Sequence, residues 1–238
     1  MTNRTTQLVC LHHAGGNPSV FRPWVEQAPE GVDVLPVVLP GARNADRRRR
    51  HRRTEQLIPA LVAELEEQLA DDYVLFGHSM GGLLAYLLAR HFEENGGPRP
   101  RALAVAAFRA PHMPWHDLTA ECDDEALIRR LHGIGGIPAW LLDHPDWLAP
   151  FLGLVRDDTE LCSSYRHVPQ KSRLAVPIHV FGGAGDPLVS AHELERWTEV
   201  GERVEITFLP GGHFLVTEDS GQLSRAIFAL ALGGRQLA

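Results

Sequence analysis

The chain has 238 residues, 44% hydrophobic and 22% charged, a balance that suits a globular domain able to bury a large core without disulfides or metals. Its net charge of −7 argues against a general nucleic-acid binder, which carries a basic surface. Cys10, Cys122 and Cys162 match no metal or redox spacing, the first residues lack the apolar core of a signal peptide, and no apolar run is long enough to span a bilayer; a cytoplasmic protein off the membrane is expected.

In chain order, short apolar runs alternate with helical patterns. The runs lie at 8–11, 32–38, 73–76, 103–108, 176–181 and 204–209 and are rich in Val, Leu, Ile and Phe, as strands buried on both faces are. Leu57, Leu61, Leu65 and Leu69 form a stripe on one helix face, with Thr54 as its expected cap and Pro59 near enough to its start to be tolerated. Residues 83–94 predict a second helix, stopped by Asn95-Gly96-Gly97-Pro98. From about 109 to 173 no strand is evident, yet Trp115, Trp140, Trp147, Leu131, Ile134 and Phe151 lie there, so this interval reads as a helical insertion. The alternation predicts one α/β domain over 1–238, a mostly parallel doubly wound sheet with right-handed crossovers. The last residues, Gly-Gly-Arg-Gln-Leu-Ala, are expected to fray.

Gly77-His78-Ser79-Met80-Gly81 stands between an apolar run and an amphipathic helix. A Gly-x-Ser-x-Gly turn in that setting projects a serine hydroxyl above the sheet edge and aims the first helix amides at the reacting centre. A serine needs a base and an orienting acid, which this turn type finds downstream in the order acid, then histidine. Asp186 follows the run at 176–181, and His213 follows the run at 204–209 on a glycine loop. Asp219 is a second candidate acid, better suited to the first turn of the last helix. The oxyanion donors are expected at the backbone amides of Met80 and, in His12-His13-Ala14-Gly15-Gly16, of Ala14. That glycine loop lacks the spacing of a phosphate loop. His112 and His116 are four apart, but Pro114 between them and the missing third ligand argue against a metal. No cofactor or metal is expected.

These pieces, with Phe21-x-x-Trp24, Leu39-Pro40-Gly41, Arg109-Ala110-Pro111-His112 and Gly212-His213-Phe214, resemble a stand-alone type II thioesterase of polyketide and nonribosomal-peptide assembly lines, an α/β hydrolase. The sequence departs from that pattern at His12, where an aromatic residue or proline is usual, and at Ala42, inserted before Arg43. The resemblance implies hydrolysis of wrong or stalled acyl groups from the phosphopantetheine thiol of an acyl or peptidyl carrier protein. It implies an acyl-serine intermediate on Ser79, and a lid at 109–173 whose Leu131, Ile134, Trp140 and Phe151 would line an acyl chamber. An acidic carrier would then dock on the basic run at 47–53, through Arg47, Arg48, Arg49 and Arg50. A general carboxylesterase or lipase, a cyclising chain-release domain and a catalytically silent hydrolase fold used for binding are the competing readings.

Overall fold

A computed structural model describes residues 5–41, 50–115, 117–169, 172–218 and 221–233. Strands β1 (Thr6–Leu11), β2 (Val32–Pro36), β3 (Tyr73–His78), β4 (Ala102–Ala106), β5 (Ile178–Gly183) and β6 (Val204–Leu209) form one sheet in the order β2-β1-β3-β4-β5-β6. Every neighbouring pair is parallel. The helices are α1 (Arg22–Gln27), α2 (Thr54–Leu65), α3 (Met80–Asn95), α4 (Asp124–Gly133), α5 (Ala139–Leu142), α6 (Pro145–Ser164), α7 (Ala191–Glu195), α8 (Leu215–Glu218) and α9 (Gln222–Ala231).

Alternation along the strands explains the unbroken apolar runs. Leu8 and Cys10 of β1 join Phe21, Trp24, Phe76 and Phe228 on one face. Val9 and Leu11 join Leu57, Leu61, Leu84 and Leu88 on the other. Helices cover both faces, so every residue of β1, β3 and β4 is buried whichever way it points, while the edge strands β2 and β6 keep exposed residues such as Asp33 and Phe208. The third apolar cluster lies within α4–α6, built on Leu127, Ile137, Leu141 and Leu152.

Strand and helix ends differ from expectation for local reasons. Strand β4 stops at Ala106 because Ala107 takes φ 53, a left-handed backbone no strand continues through. Strand β5 starts after Pro177, which lacks an amide donor. Thr54 is the first residue of α2, not its cap; its amide donates to Ser164 Oγ at 2.9 Å, and the cap position belongs to Arg53. Helix α3 ends as expected, on Gly96 at φ 75.

The strand order sets the site. The chain adds β2 on one side of β1 and β3 on the other, so the loops after β1 and β3 diverge and leave a crevice at the strands' C-terminal edge, where open α/β sheets bind ligands. The loop after β1 carries Ala14, and the turn after β3 carries Ser79. The loops after β5 and β6 carry Asp186 and His213 to the same edge.

Candidate active site

Ser79 sits at φ 53, ψ −118, between β3 and the first turn of α3. A non-glycine residue in that region is strained, and the surrounding structure must hold it there. Part of the hold is Ser79 N–H donating to the Ala106 carbonyl at 2.8 Å. Another part is the close passage of α3 under β1. A Cβ added to Gly81 would lie 2.1 Å from the Leu11 carbonyl oxygen, so only glycine fits there.

Three distant stretches meet at this turn. His213 Nε2 lies 3.0 Å from Ser79 Oγ, and His213 Nδ1 lies 2.9 Å from Asp186 Oδ2. The Asp186 side chain is 1% exposed, so its orientation is fixed by protein contacts alone. Its Oδ1 accepts from the amides of Leu188 (2.7 Å) and Val189 (3.2 Å). With Asp186 accepting at Nδ1, the free Nε2 lone pair of His213 faces the hydroxyl, an arrangement that can take the serine proton.

The loop carrying His213 is held from below. His78, fully buried, has its Nε2 2.8 Å from the His213 backbone carbonyl. A carbonyl only accepts, so His78 carries its proton on Nε2. Burial, and then the nearby His213, push the His78 pKa down to about 3, so the ring stays neutral. Burial, then His78, also holds His13 well below the ordinary histidine range. The His13, His78 and Phe214 rings pack edge-on or tilted at 5.0–5.9 Å between centroids.

The loop after β1 is also fixed from outside itself. His12 Nδ1 donates to the His13 carbonyl at 2.8 Å, and Gly16 N–H closes a turn onto the same carbonyl at 3.0 Å. Gly15 N–H donates to Asp158 Oδ2 at 2.9 Å, while Asp158 Oδ1 accepts from Arg50 Nη2 at 2.6 Å. Asp158 is 2% exposed, so helix α6 reaches the loop with a buried, paired carboxylate. Gly15 has φ 76, and a Cβ there would meet Val155 Cγ2 of α6 at 2.6 Å. Ala14 and Met80 line one cavity of about 90 Å3 together with Ser79 and His213.

That cavity opens onto the Ser79 hydroxyl and the His213 ring. Its remaining wall comes from Phe108, Arg109, Leu118, Thr159, Cys162 and Val189 among others. Burial pushes the Cys162 thiol well above its ordinary pKa, so it serves the cavity as a small apolar wall rather than as a second nucleophile. Four wall residues, Phe108, Arg109, Trp115 and Cys162, also line a neighbouring cavity of about 470 Å3.

A serine hydroxyl, an imidazole and a carboxylate in this order, beside Ala14 and Met80 at the edge of a parallel sheet, suit acyl transfer. Comparison with known proteins settles the family. The thioesterase domain model matches residues 6–230. The chain belongs to the thioesterase family. RedJ, the thioesterase of the prodiginine pathway in Streptomyces coelicolor, is 34% identical at a TM-score of 0.85, with 96% of this chain and 90% of that one covered. BorB, the type II thioesterase of the borrelidin cluster, is 31% identical at a TM-score of 0.81, covering 98% and 96%. The gramicidin S biosynthesis protein GrsT of Aneurinibacillus migulanus is 28% identical over 223 residues, 91% of this chain and 85% of that one. Sheet and helices are those of the α/β-hydrolase fold.

Within this thioesterase, several residues sit elsewhere than the sequence suggested. Leu131 is buried in the cluster internal to α4–α6, and Ile134 packs against that cluster, so neither lines the cavity beside Ser79. Trp140, 56% exposed, and Phe151 line a separate groove of about 610 Å3 with His13, Gly15 and Phe214. An apolar stripe at helical spacing marks a helix's own packing as readily as a ligand wall, which is why the two were not separable. Arg50 is no free docking charge: its side chain is 14% exposed and paired with Asp158. Arg52 pairs likewise with Asp157 at 2.8 Å. Arg47, Arg48 and Arg49 lie outside the described residues, as do His116 and Asp219. Among the described residues no three His, Cys, Asp or Glu side chains cluster as a metal site, and no helix is long and apolar enough to cross a membrane.

Proposed function

We propose that this chain is an editing thioesterase that frees aberrant or stalled acyl groups from the phosphopantetheine thiol of a carrier protein in polyketide or nonribosomal-peptide biosynthesis. The observation that carries the reading is the hydrogen-bonded series Ser79–His213–Asp186, at 3.0 and 2.9 Å, on the active edge of a thioesterase-family sheet. Relatives in antibiotic pathways, RedJ and GrsT among them, support the carrier-bound substrate. A cytoplasmic site of action goes with that substrate.

His213 Nε2 takes the Ser79 proton as Oγ attacks the thioester carbonyl carbon. The amides of Ala14 and Met80 hold the oxyanion, each worth about 3 kcal/mol of transition-state stabilisation. The C–S bond breaks, the thiol leaves with the proton from His213, and the acyl group stays on Ser79 as an ester. Water then gives His213 a proton as it attacks that ester, releasing a carboxylic acid and the serine. Helices α4–α6, which contribute Thr159 and Cys162 to the cavity, act as a lid that keeps bulk water from the ester.

The test is hydrolysis of a panel of acyl-carrier conjugates alongside matched oxygen esters. Release of free acid from the carrier, faster than from the oxygen esters, is expected. Turnover of oxygen esters with carrier thioesters left intact would replace this reading with a general carboxylesterase.

A further inference from the structure

Two peptide groups flank Ala14 in the loop after β1. The first joins His13 to Ala14 and carries the amide proposed above as an oxyanion donor. The second joins Ala14 to Gly15. A peptide group is planar, with its carbonyl and its N–H on opposite edges. Whatever fixes the His13 carbonyl therefore also fixes the direction of the Ala14 N–H.

Both groups are held. The His13 carbonyl accepts from His12 Nδ1 at 2.8 Å and from the Gly16 amide at 3.0 Å. Bonds to a carbonyl polarise its own peptide group, so the N–H on the far edge donates more strongly. Gly15 N–H, in the second group, donates to Asp158 Oδ2 at 2.9 Å, and Arg50 Nη2 holds that carboxylate by donating to Oδ1 at 2.6 Å. His12 and Asp158 are each 2% exposed, so bulk water does not compete for either bond. Val155 of α6 closes in on the same turn, since a Cβ on Gly15 would lie 2.6 Å from its Cγ2. Ala14 lines the cavity that opens onto Ser79, and neither His12 nor Asp158 does. Both act on the loop from outside that cavity.

Resting on the thioesterase reading and its assignment of Ala14, we propose that His12 and Asp158 are positioning residues for the oxyanion site: the ring fixes one peptide group beside Ala14 and the α6 carboxylate fixes the other. Helix α6 thereby sets the donor geometry at the reacting carbonyl as well as covering the site. Oxyanion donors act on the tetrahedral intermediate, so losing their alignment lowers kcat and leaves ground-state binding alone.

The test uses two pairs of variants that differ in one hydrogen bond. His12→Phe keeps a ring and removes the donor, while His12→Asn places an amide N–H where Nδ1 stands. In an Arg50→Met background, which leaves no unpaired charge, Asp158→Leu removes the acceptor and Asp158→Asn keeps one. Substrates are butyryl-N-acetylcysteamine and a butyryl-loaded carrier protein. His12→Phe and Asp158→Leu/Arg50→Met are expected to lower kcat about 10- to 100-fold with KM nearly unchanged, less than the outright loss of an oxyanion donor. Binding of butylboronic acid, whose adduct with Ser79 puts an oxygen at the oxyanion site, should weaken by a similar factor. The two Asn variants should recover most of both losses. Melting temperatures identify a variant that fails to fold, and the other pair then decides. The proposal is overturned if a folded variant lacking either bond keeps the wild-type kcat, if the loss falls on KM, if boronate affinity does not move, or if the Asn variants recover nothing. Wild-type protein inactive on both substrates would instead sink the thioesterase reading itself.

Discussion

His78 shows how much of the site rests on a residue that takes no part in the chemistry. Its Nε2 proton bonds the carbonyl of His213 itself, so it fixes the backbone from which the His213 ring hangs. Replacing His78 by Ala leaves that buried carbonyl without its donor, a loss of about 1–3 kcal/mol. If the loss falls on the placement of the His213 ring, kcat drops about 10- to 100-fold with KM nearly unchanged, which steady-state kinetics on one acyl thioester will read. The meeting of Ser79, Asp186 and His213 was legible in the sequence because the turn motif fixes one of them and the strand order the other two. His78 was not, because a histidine beside a nucleophile looks the same whether it points to solvent or into the core.

At the scale of elements, helix α6 joins two loops. Asp158 holds Gly15 and Arg50, and Asp157 holds Arg52, so the loop after β1 and the start of α2 share one anchor. Burial raises the Asp158 pKa, opposed by Arg50, the Gly15 amide and His12. Asp158→Ala would strand Arg50 in a site 14% exposed, and breaking a buried pair from one side costs about 3–5 kcal/mol. Chemical denaturation should show that loss, and should show a smaller one in the double variant Asp158→Ala/Arg50→Met, which leaves no unpaired charge. A run of arginines read alone suggests a solvated patch; the partner of Arg50 lies 108 residues further on, a distance no local pattern spans. The helical character of 109–173 was legible from its leucines and tryptophans, while the assignment of each to lid core, groove or cavity depends on how α4–α6 pack.

Across the whole molecule, burial of neutral histidines links stability to pH. His12, His13 and His78 are all depressed by burial, His78 to about 3, with Asp158 and Arg50 facing His12. In the unfolded chain the same rings take up protons below an ordinary value of 6.5. The unfolded state therefore binds more protons, and the stability these groups contribute is present above about pH 6.5 and is lost as pH falls from there. Each ring kept neutral steepens the loss by up to about 1.4 kcal/mol per pH unit. The melting temperature should fall between pH 7 and pH 5, and fall less steeply in His78→Gln. The inner strands β1, β3 and β4 were legible because burial on both faces leaves apolar runs; strand ends were not, because Ala107 stops β4 and Pro177 delays β5 through backbone geometry rather than polarity. All of this architecture serves one alignment, and thioester hydrolysis by Ser79→Ala tests it most directly. Turnover at least ~10⁴-fold below wild type with an unchanged melting temperature is the expected result, and a folded variant that keeps a tenth of the wild-type rate would contradict it.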